Sequence, residues 1–197
     1  HADHLVMDQV VKILGGEGGN RLQQVLRTQK SLTYGASADL DAYKLTGAVI
    51  AETDTRTEAT AEALRTVVDE FFRLQRERVY EAELTGAQDF LAGSFPLSIE
   101  SPDAIATRVL NQLFYDLPLD DLPAYPERVR SVTVDDVQRV AQAWLKPAAL
   151  SVVLVGDADR FMKDLAGAGF SSVERIPLDQ LDLTAADLRR PARGPQD

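Results

Sequence analysis

The chain has 197 residues, no cysteine, and a formal net charge of -10 from 31 acidic and 21 basic side chains. This length favours one large domain or two closely packed halves with a real core. The acidic balance argues against a nucleic-acid partner, because phosphate binding requires clustered lysine and arginine; the lack of cysteine excludes disulfides and thiolate metal sites. No apolar run reaches the ~18 residues of a membrane span.

The first third of the chain alternates between helix, turn and strand signals. Apolar residues from Leu5 to Leu14 recur at helical spacing and stop at Gly15 and Gly16. Asn20 is predicted to cap a second helix that buries Leu22, Val25 and Leu26 and reaches about Lys30. Two antiparallel strands are then expected over residues 33–40 and 42–52.

The rest of the chain is predicted to be mostly helical. Capping and periodicity indicate helices beginning near Thr57, Glu81, Pro102 and Thr133, with Trp144 in the core. An irregular acidic connection is expected at 118–126, an inner strand at 150–155, a short helix at 159–166 and a last strand at 172–177.

This order of elements predicts an α+β fold, with a mostly antiparallel sheet and several helices packed on one face. Residues 1–176 are expected to form one domain, and residues 177–197 a polar C-terminal tail.

Short motifs occur in a fixed order along this chain. They are Ile13-Leu14-Gly15-Gly16, Asn20-Arg21-Leu22, Leu26-Arg27, Leu32-Thr33-Tyr34, Gly47, Glu83-Leu84, residues 133–137 and residues 153–157. Together they resemble the C-terminal, non-metal half of the insulinase/pitrilysin-type zinc metallopeptidases. That resemblance implies a metallopeptidase half-domain, one of several α+β domains of about 200 residues that face one another across a chamber. The short turn 28–31, Thr-Gln-Lys-Ser, departs from the acidic-basic-basic-glycine turn usual in the family.

The zinc-binding H-x-x-E-H helix of that family is absent from this sequence. His1 and His4 lack the glutamate between them that the motif requires, so this chain is expected to hold no metal and no cofactor. The resemblance places the zinc on a partner domain or subunit. It also implies that the family's usual first strand is missing ahead of the Leu5 helix, which would leave an open sheet edge.

The resemblance assigns a catalytic role to Arg27 and Tyr34. In active members, the matching arginine and tyrosine reach across the chamber to the substrate near the zinc. Such donors suit peptide hydrolysis, because negative charge develops on the scissile carbonyl oxygen. Two plainer interpretations remain open: Arg27 as a cation at a helix C-terminus, and Tyr34 as a half-buried strand residue.

Gly18 and Gly19 have two possible roles as well. A tight turn between helices explains them, and contact with substrate is the second possibility. A phosphate-binding loop is disfavoured, because the glycines follow a helix and lack the Gly-Lys-Ser/Thr ending.

The leading hypothesis is the substrate-binding half of a zinc metalloendopeptidase, inactive alone and paired with a metal-bearing domain or subunit. The alternative is a non-catalytic scaffold or inactive partner subunit of the same family. A third possibility is a peptide-binding module that adds a strand to an open sheet edge. The expected partners are therefore a peptidase domain, a peptide or protein substrate and other copies in an oligomer, and the family favours an extracytoplasmic location.

Overall fold

The computed structural model describes residues 1–16 and 19–190. Within these ranges the chain is α+β, as predicted, but helices dominate and the sheet has only two strands, with α1 packed against β1. No helix in the described part combines the length and apolarity needed to cross a bilayer. The α-helices are α1 (His4–Gly15), α2 (Thr60–Arg76), α3 (Glu81–Ser94), α4 (Pro102–Phe114), α5 (Asp121–Arg130), α6 (Val134–Trp144) and α7 (Ala158–Gly167).

The predicted second helix is present in an unusual form. Residues Gln23–Gln29 form a π-helix, in which the Lys30 N–H donates to the Val25 carbonyl five residues back at 3.1 Å. Its inner side is anchored by Leu22 and Leu26, which are fully buried. π-helices are rare in proteins, and those that occur are frequently at functional sites. Residues 23–29 are therefore a candidate part of a functional site.

The sheet is one antiparallel hairpin of β1 (Ala36–Ala42) and β2 (Gly47–Thr53). Ala36 pairs with Thr53 at the open end, and Ala42 pairs with Gly47 next to the turn. Both strands begin three to five residues later than predicted, because residues 33–35 and 43–46 are used as connections. No described segment is hydrogen-bonded to the outer edge of β2.

The core lies where α1 packs on β1 and on α6, and α2 and α3 close it from the sides. Val10, Leu14, Val137 and Val140 are fully buried there. Burial of each such side chain stabilises the fold by about 1.5–3 kcal/mol. The helix periodicities that predicted these contacts are therefore confirmed, as is the Thr133 cap of α6, whose hydroxyl accepts the Asp136 N–H.

Four sequence predictions are wrong in the described structure. Residues 150–155 and 172–177 are not strands, because no neighbouring strand is present to supply their hydrogen bonds. The predicted irregular connection at 118–126 contains the start of α5, in which Pro123 lies in the tolerated first turn. Trp144 is half-exposed instead of buried, because its indole N–H donates to the Asp3 carboxylate at 2.9 Å on the surface.

Candidate functional site

Arg27 and Tyr34 lie at the two ends of the segment that connects the π-helix to β1. Arg27 occupies the last turn of the π-helix and is exposed, with no hydrogen bond or ion pair to another described side chain. The Tyr34 side chain is 96% exposed and also makes no described hydrogen bond. The tyrosine is thus not the half-buried strand residue of the plainer interpretation, and both side chains are free to contact a molecule outside this chain.

The backbone around the exposed tyrosine is held firmly on both sides. Before it, the Leu32 N–H donates to the Leu26 carbonyl at 2.8 Å, and the Thr55 hydroxyl donates to the Leu32 carbonyl at 2.7 Å. After it, the Gly35 carbonyl accepts the Thr53 hydroxyl at 3.0 Å. Leu32 itself is buried in the core. A free aromatic side chain is therefore presented from a backbone that the fold fixes.

Ser31 gives this segment its sharp change of direction. Its φ of 54° lies in the left-handed region, where residues other than glycine are disfavoured. Its N–H donates to the Arg27 carbonyl at 3.2 Å, which ends the helix. The peptidase family that this chain resembles usually has glycine at this position, which suits the left-handed conformation. Here serine adopts the same conformation and the turn still forms.

A partly buried ion pair holds the base of the π-helix. The Arg21 guanidinium donates to both Glu83 carboxylate oxygens at 2.7 and 2.9 Å, and the arginine side chain is only 7% exposed. Burial raises the pKa of Glu83, but the hydrogen bonds from Arg21 and from the Tyr80 N–H outweigh it and bring that pKa below its ordinary value. Sequence reasoning missed this pair. Both residues belong to the family-like motifs, but 62 positions separate them and nothing in the sequence links the two.

The glycine turn is only partly described. Gly18 lies outside the described residues. Gly19 is exposed with a φ of 69°, a left-handed conformation that explains a glycine at this position. Asn20 caps the following helix as predicted, because its side-chain oxygen accepts the Gln23 N–H at 2.8 Å. Its amide also donates to the Gly16 carbonyl, which ties the two helices together.

The two histidines, His1 and His4, are not part of a zinc site in the described residues. The His1 Nδ1 atom accepts the Asp3 N–H at 3.1 Å, and its ring packs edge-on against Trp144. In the part of the chain that the structure describes, no three His, Cys, Asp or Glu side chains are grouped to hold a metal ion.

Residues 1–91 match the family described as peptidase M16 inactive domain, a range that includes Arg21, Arg27, Tyr34 and Glu83. No curated protein matches the sequence significantly. A solved structure described as the peptidase M16 inactive domain from Pseudomonas fluorescens is 28% identical, with a TM-score of 0.69 over 75% of this chain.

Other solved structures share the fold at lower identity. A putative zinc protease from Bordetella pertussis is 20% identical, with a TM-score of 0.63 over 74% of this chain and 79% of its own. A protease from Helicobacter pylori is 22% identical, with a TM-score of 0.62 over 75% of this chain. This chain covers only 35% and 36% of the Pseudomonas and Helicobacter chains, which are therefore much longer proteins.

Proposed function

We propose that this chain, which contains an inactive C-terminal domain of the insulinase/pitrilysin (M16) peptidase family, is the substrate-binding half of a zinc metalloendopeptidase. The zinc would be held by a partner domain or subunit, since no three metal-binding side chains are grouped in the described part of this chain. Arg27 and Tyr34 would contact the substrate at that partner's site, and Gly18 and Gly19 would border the bound peptide. The chain alone is not expected to cleave peptides.

One observation carries this proposal: a 96%-exposed tyrosine stands on a backbone that several hydrogen bonds fix. An exposed tyrosine offers a large apolar surface and a hydroxyl to another molecule, and its rigid support reduces the entropy lost when it binds. The exposed Arg27 lies seven residues earlier, at the end of the π-helix.

The chemistry of the two groups suits a developing oxyanion. A guanidinium stays charged at every working pH, and a phenol donates a single directional hydrogen bond. Both would be aimed at the scissile carbonyl oxygen, whose negative charge grows towards the transition state. Donors that are placed in advance stabilise such a charge more than that of the ground state, and losing one typically lowers turnover about 100- to 1000-fold.

Steady-state kinetics with a metal-bearing partner tests the proposal. The chain is combined with a zinc-bearing M16 peptidase domain, and cleavage of a quenched fluorescent peptide is followed. Arg27→Ala and Tyr34→Phe should each lower kcat about 100-fold or more. Arg56→Ala and Tyr43→Phe, which alter other exposed side chains, should leave kcat unchanged. Wild-type turnover by both Arg27→Ala and Tyr34→Phe would overturn the catalytic role.

A scaffold role is the second candidate, and one surface favours it. Leu110, Leu113 and Phe114 of α4 are all more than half exposed, which gives that helix an apolar face suited to a subunit contact. A subunit of complex III from Candida albicans shares the fold at 10% identity, with a TM-score of 0.62. A scaffold would require this face for assembly, and Leu113→Asp would then dissociate the complex while Tyr34→Phe would have no effect.

A further inference from the structure

Tyr34 lies just outside the sheet, where the backbone ladder of the hairpin ends. The last pair of that ladder joins Ala36 to Thr53, so residues 33–35 lie outside the pairing of β1 with β2. The Tyr34 side chain is almost fully exposed, and the described part of the chain offers it little packing. The orientation of its phenol therefore depends mainly on the backbone from which it projects.

Two threonines at the end of β2 hold this backbone where the ladder stops. The Thr53 hydroxyl donates to the Gly35 carbonyl at 3.0 Å, and the Thr55 hydroxyl donates to the Leu32 carbonyl at 2.7 Å. Both threonines are half-buried and the residue between them is exposed, so their side chains share one face of an extended run. That face holds the chain on both sides of Tyr34.

The Gly35 carbonyl is held twice. It also accepts the Thr33 hydroxyl at 2.7 Å, and the same hydroxyl accepts the Gly35 N–H at 3.1 Å. A carbonyl oxygen has two lone pairs, so both are used here. Tyr34 thus lies in a short turn, which Thr33 closes locally and which Thr53 and Thr55 attach to the β2 end.

We infer that Thr53 and Thr55 are positioning residues for Tyr34, an inference that rests on the catalytic role proposed above for this tyrosine. Their hydroxyls fix the backbone on either side of it and so determine where the phenol meets the substrate carbonyl. The phenol hydroxyl lies at the far end of its side chain, so a small backbone rotation moves it much further than it moves Cα. A misplacement of about 1 Å can lower turnover about 100-fold.

A purely structural role leads to a different expectation. Buried carbonyls need hydrogen-bond partners, and the two threonines would then stabilise the fold without affecting the turnover of folded protein. Thr60 offers a matched comparison, because its hydroxyl is also partly buried and donates to the Thr57 carbonyl at 2.9 Å. Thr60→Val therefore removes a similar hydrogen bond that does not hold residues 32–35.

Kinetics of the chain combined with a zinc-bearing M16 peptidase domain tests the inference. Thr53→Val combined with Thr55→Val keeps the side-chain shapes and removes both hydroxyls, and should lower kcat about 10- to 100-fold with little change in KM. Thr53→Ser combined with Thr55→Ser, which keeps both hydroxyls, should retain kcat near the wild-type value, as should Thr60→Val. Because positioning acts through the phenol, adding both valines to Tyr34→Phe should lower kcat no further.

NMR relaxation of the intact chain measures the positioning without partner or substrate. The order parameter of the Tyr34 N–H should be about 0.85 in the wild type and below about 0.6 in the double valine variant. Thr60→Val should leave it unchanged. An unchanged order parameter in the double valine variant would overturn the inference.

The kinetic outcomes separate this inference from the proposed function. If Tyr34→Phe lowers kcat and the double valine variant does not, the positioning role fails and the proposed function stands. An equal fall of kcat when the valines are added to Tyr34→Phe would also overturn positioning, since the threonines would then act without the phenol. Wild-type turnover by Tyr34→Phe would overturn both.

Discussion

Replacing Glu83 with alanine removes one half of the partly buried ion pair at the base of the π-helix. The Arg21 guanidinium, 7% exposed, would keep its charge but lose both carboxylate acceptors. The same substitution removes the acceptor of the Tyr80 N–H at the start of α3. Glu83→Ala should therefore destabilise the fold through two separate losses.

The size of the effect follows from the burial of each partner. Breaking a fully buried pair costs about 3–5 kcal/mol, and loss of a helix cap about 1 kcal/mol. Glu83 is 26% exposed, so water can enter and solvate part of the abandoned arginine. We expect a loss of about 3 kcal/mol, which corresponds to a fall in Tm of about 6–12 °C for a chain of this size.

Urea unfolding measures this loss, with Glu81→Ala as the control, because Glu81 is exposed in the same helical turn. The control should change the free energy of unfolding by less than about 0.5 kcal/mol. Since the pKa of Glu83 is lowered on folding, its contribution is present above the ordinary glutamate pKa and is lost as pH falls through and below it. Arg21→Met combined with Glu83→Met should recover most of the stability. A loss below about 1 kcal/mol for Glu83→Ala at pH 7 would show that the Arg21–Glu83 ion pair does not stabilise the fold.

Three further predictions concern backbone and burial. Gly15→Ala should destabilise by about 1–3 kcal/mol in urea unfolding, because the new Cβ would lie 2.7 Å from the Ser37 carbonyl carbon; Gly86→Ala, with open space around it, should stabilise by about 0.5–1 kcal/mol. The same sign for both would contradict the close contact of α1 with β1. Ser31→Gly should raise the free energy of unfolding by about 1 kcal/mol, since its φ of 54° disfavours serine; no gain would indicate that the turn is unstrained. Burial raises the pKa of Asp8, so Asp8→Asn should stabilise the protein at pH 7 and lose that advantage as pH falls; a gain equal at pH 7 and pH 4 would contradict this.

The elements that the sequence predicts correctly are those whose ends depend on residues nearby in the sequence. α4 and α6 begin within one residue of their predicted starts, because a proline or a cap marks each one. The Ser101 hydroxyl accepts the Ala104 N–H at 3.1 Å, and Thr133 and Asp136 form a reciprocal cap. Such signals depend on residues three positions apart and are independent of the rest of the fold.

The predictions that are wrong concern features that depend on residues far away in the sequence. Residues 150–155 have the composition of a strand, but a strand forms only where another segment supplies its hydrogen bonds. The partners of Trp144 and Arg21 lie 141 and 62 positions away in sequence, so neither contact leaves a local signal. Likewise, the sequence suggests Arg27 and Tyr34 only through family likeness. Their exposure and the fixed backbone between them depend on Leu26, Thr53 and Thr55.

The extent of the domain remains a prediction. The match to the M16 inactive domain ends at residue 91, and the solved relatives cover about three quarters of the chain. The domain boundary expected at residue 176 lies beyond residue 91, where the family match ends. Residues 178–180 form a short 3₁₀ helix, and Leu181 pairs with Arg189. Limited proteolysis followed by mass spectrometry would locate the boundary, with a stable fragment ending near residue 176 expected.

Photo-crosslinking from position 34 shows whether Tyr34 lies next to the substrate at the cleavage site. Tyr34 is replaced by benzoylphenylalanine, the chain is joined with its metal-bearing partner, and a peptide substrate is added under light. We expect the peptide to be labelled close to its scissile bond, and only when the partner is present. The same group at Tyr43, on the exposed hairpin turn, should label no peptide. Turnover of the peptide without any crosslink from position 34 would contradict a role for this segment at the cleavage site.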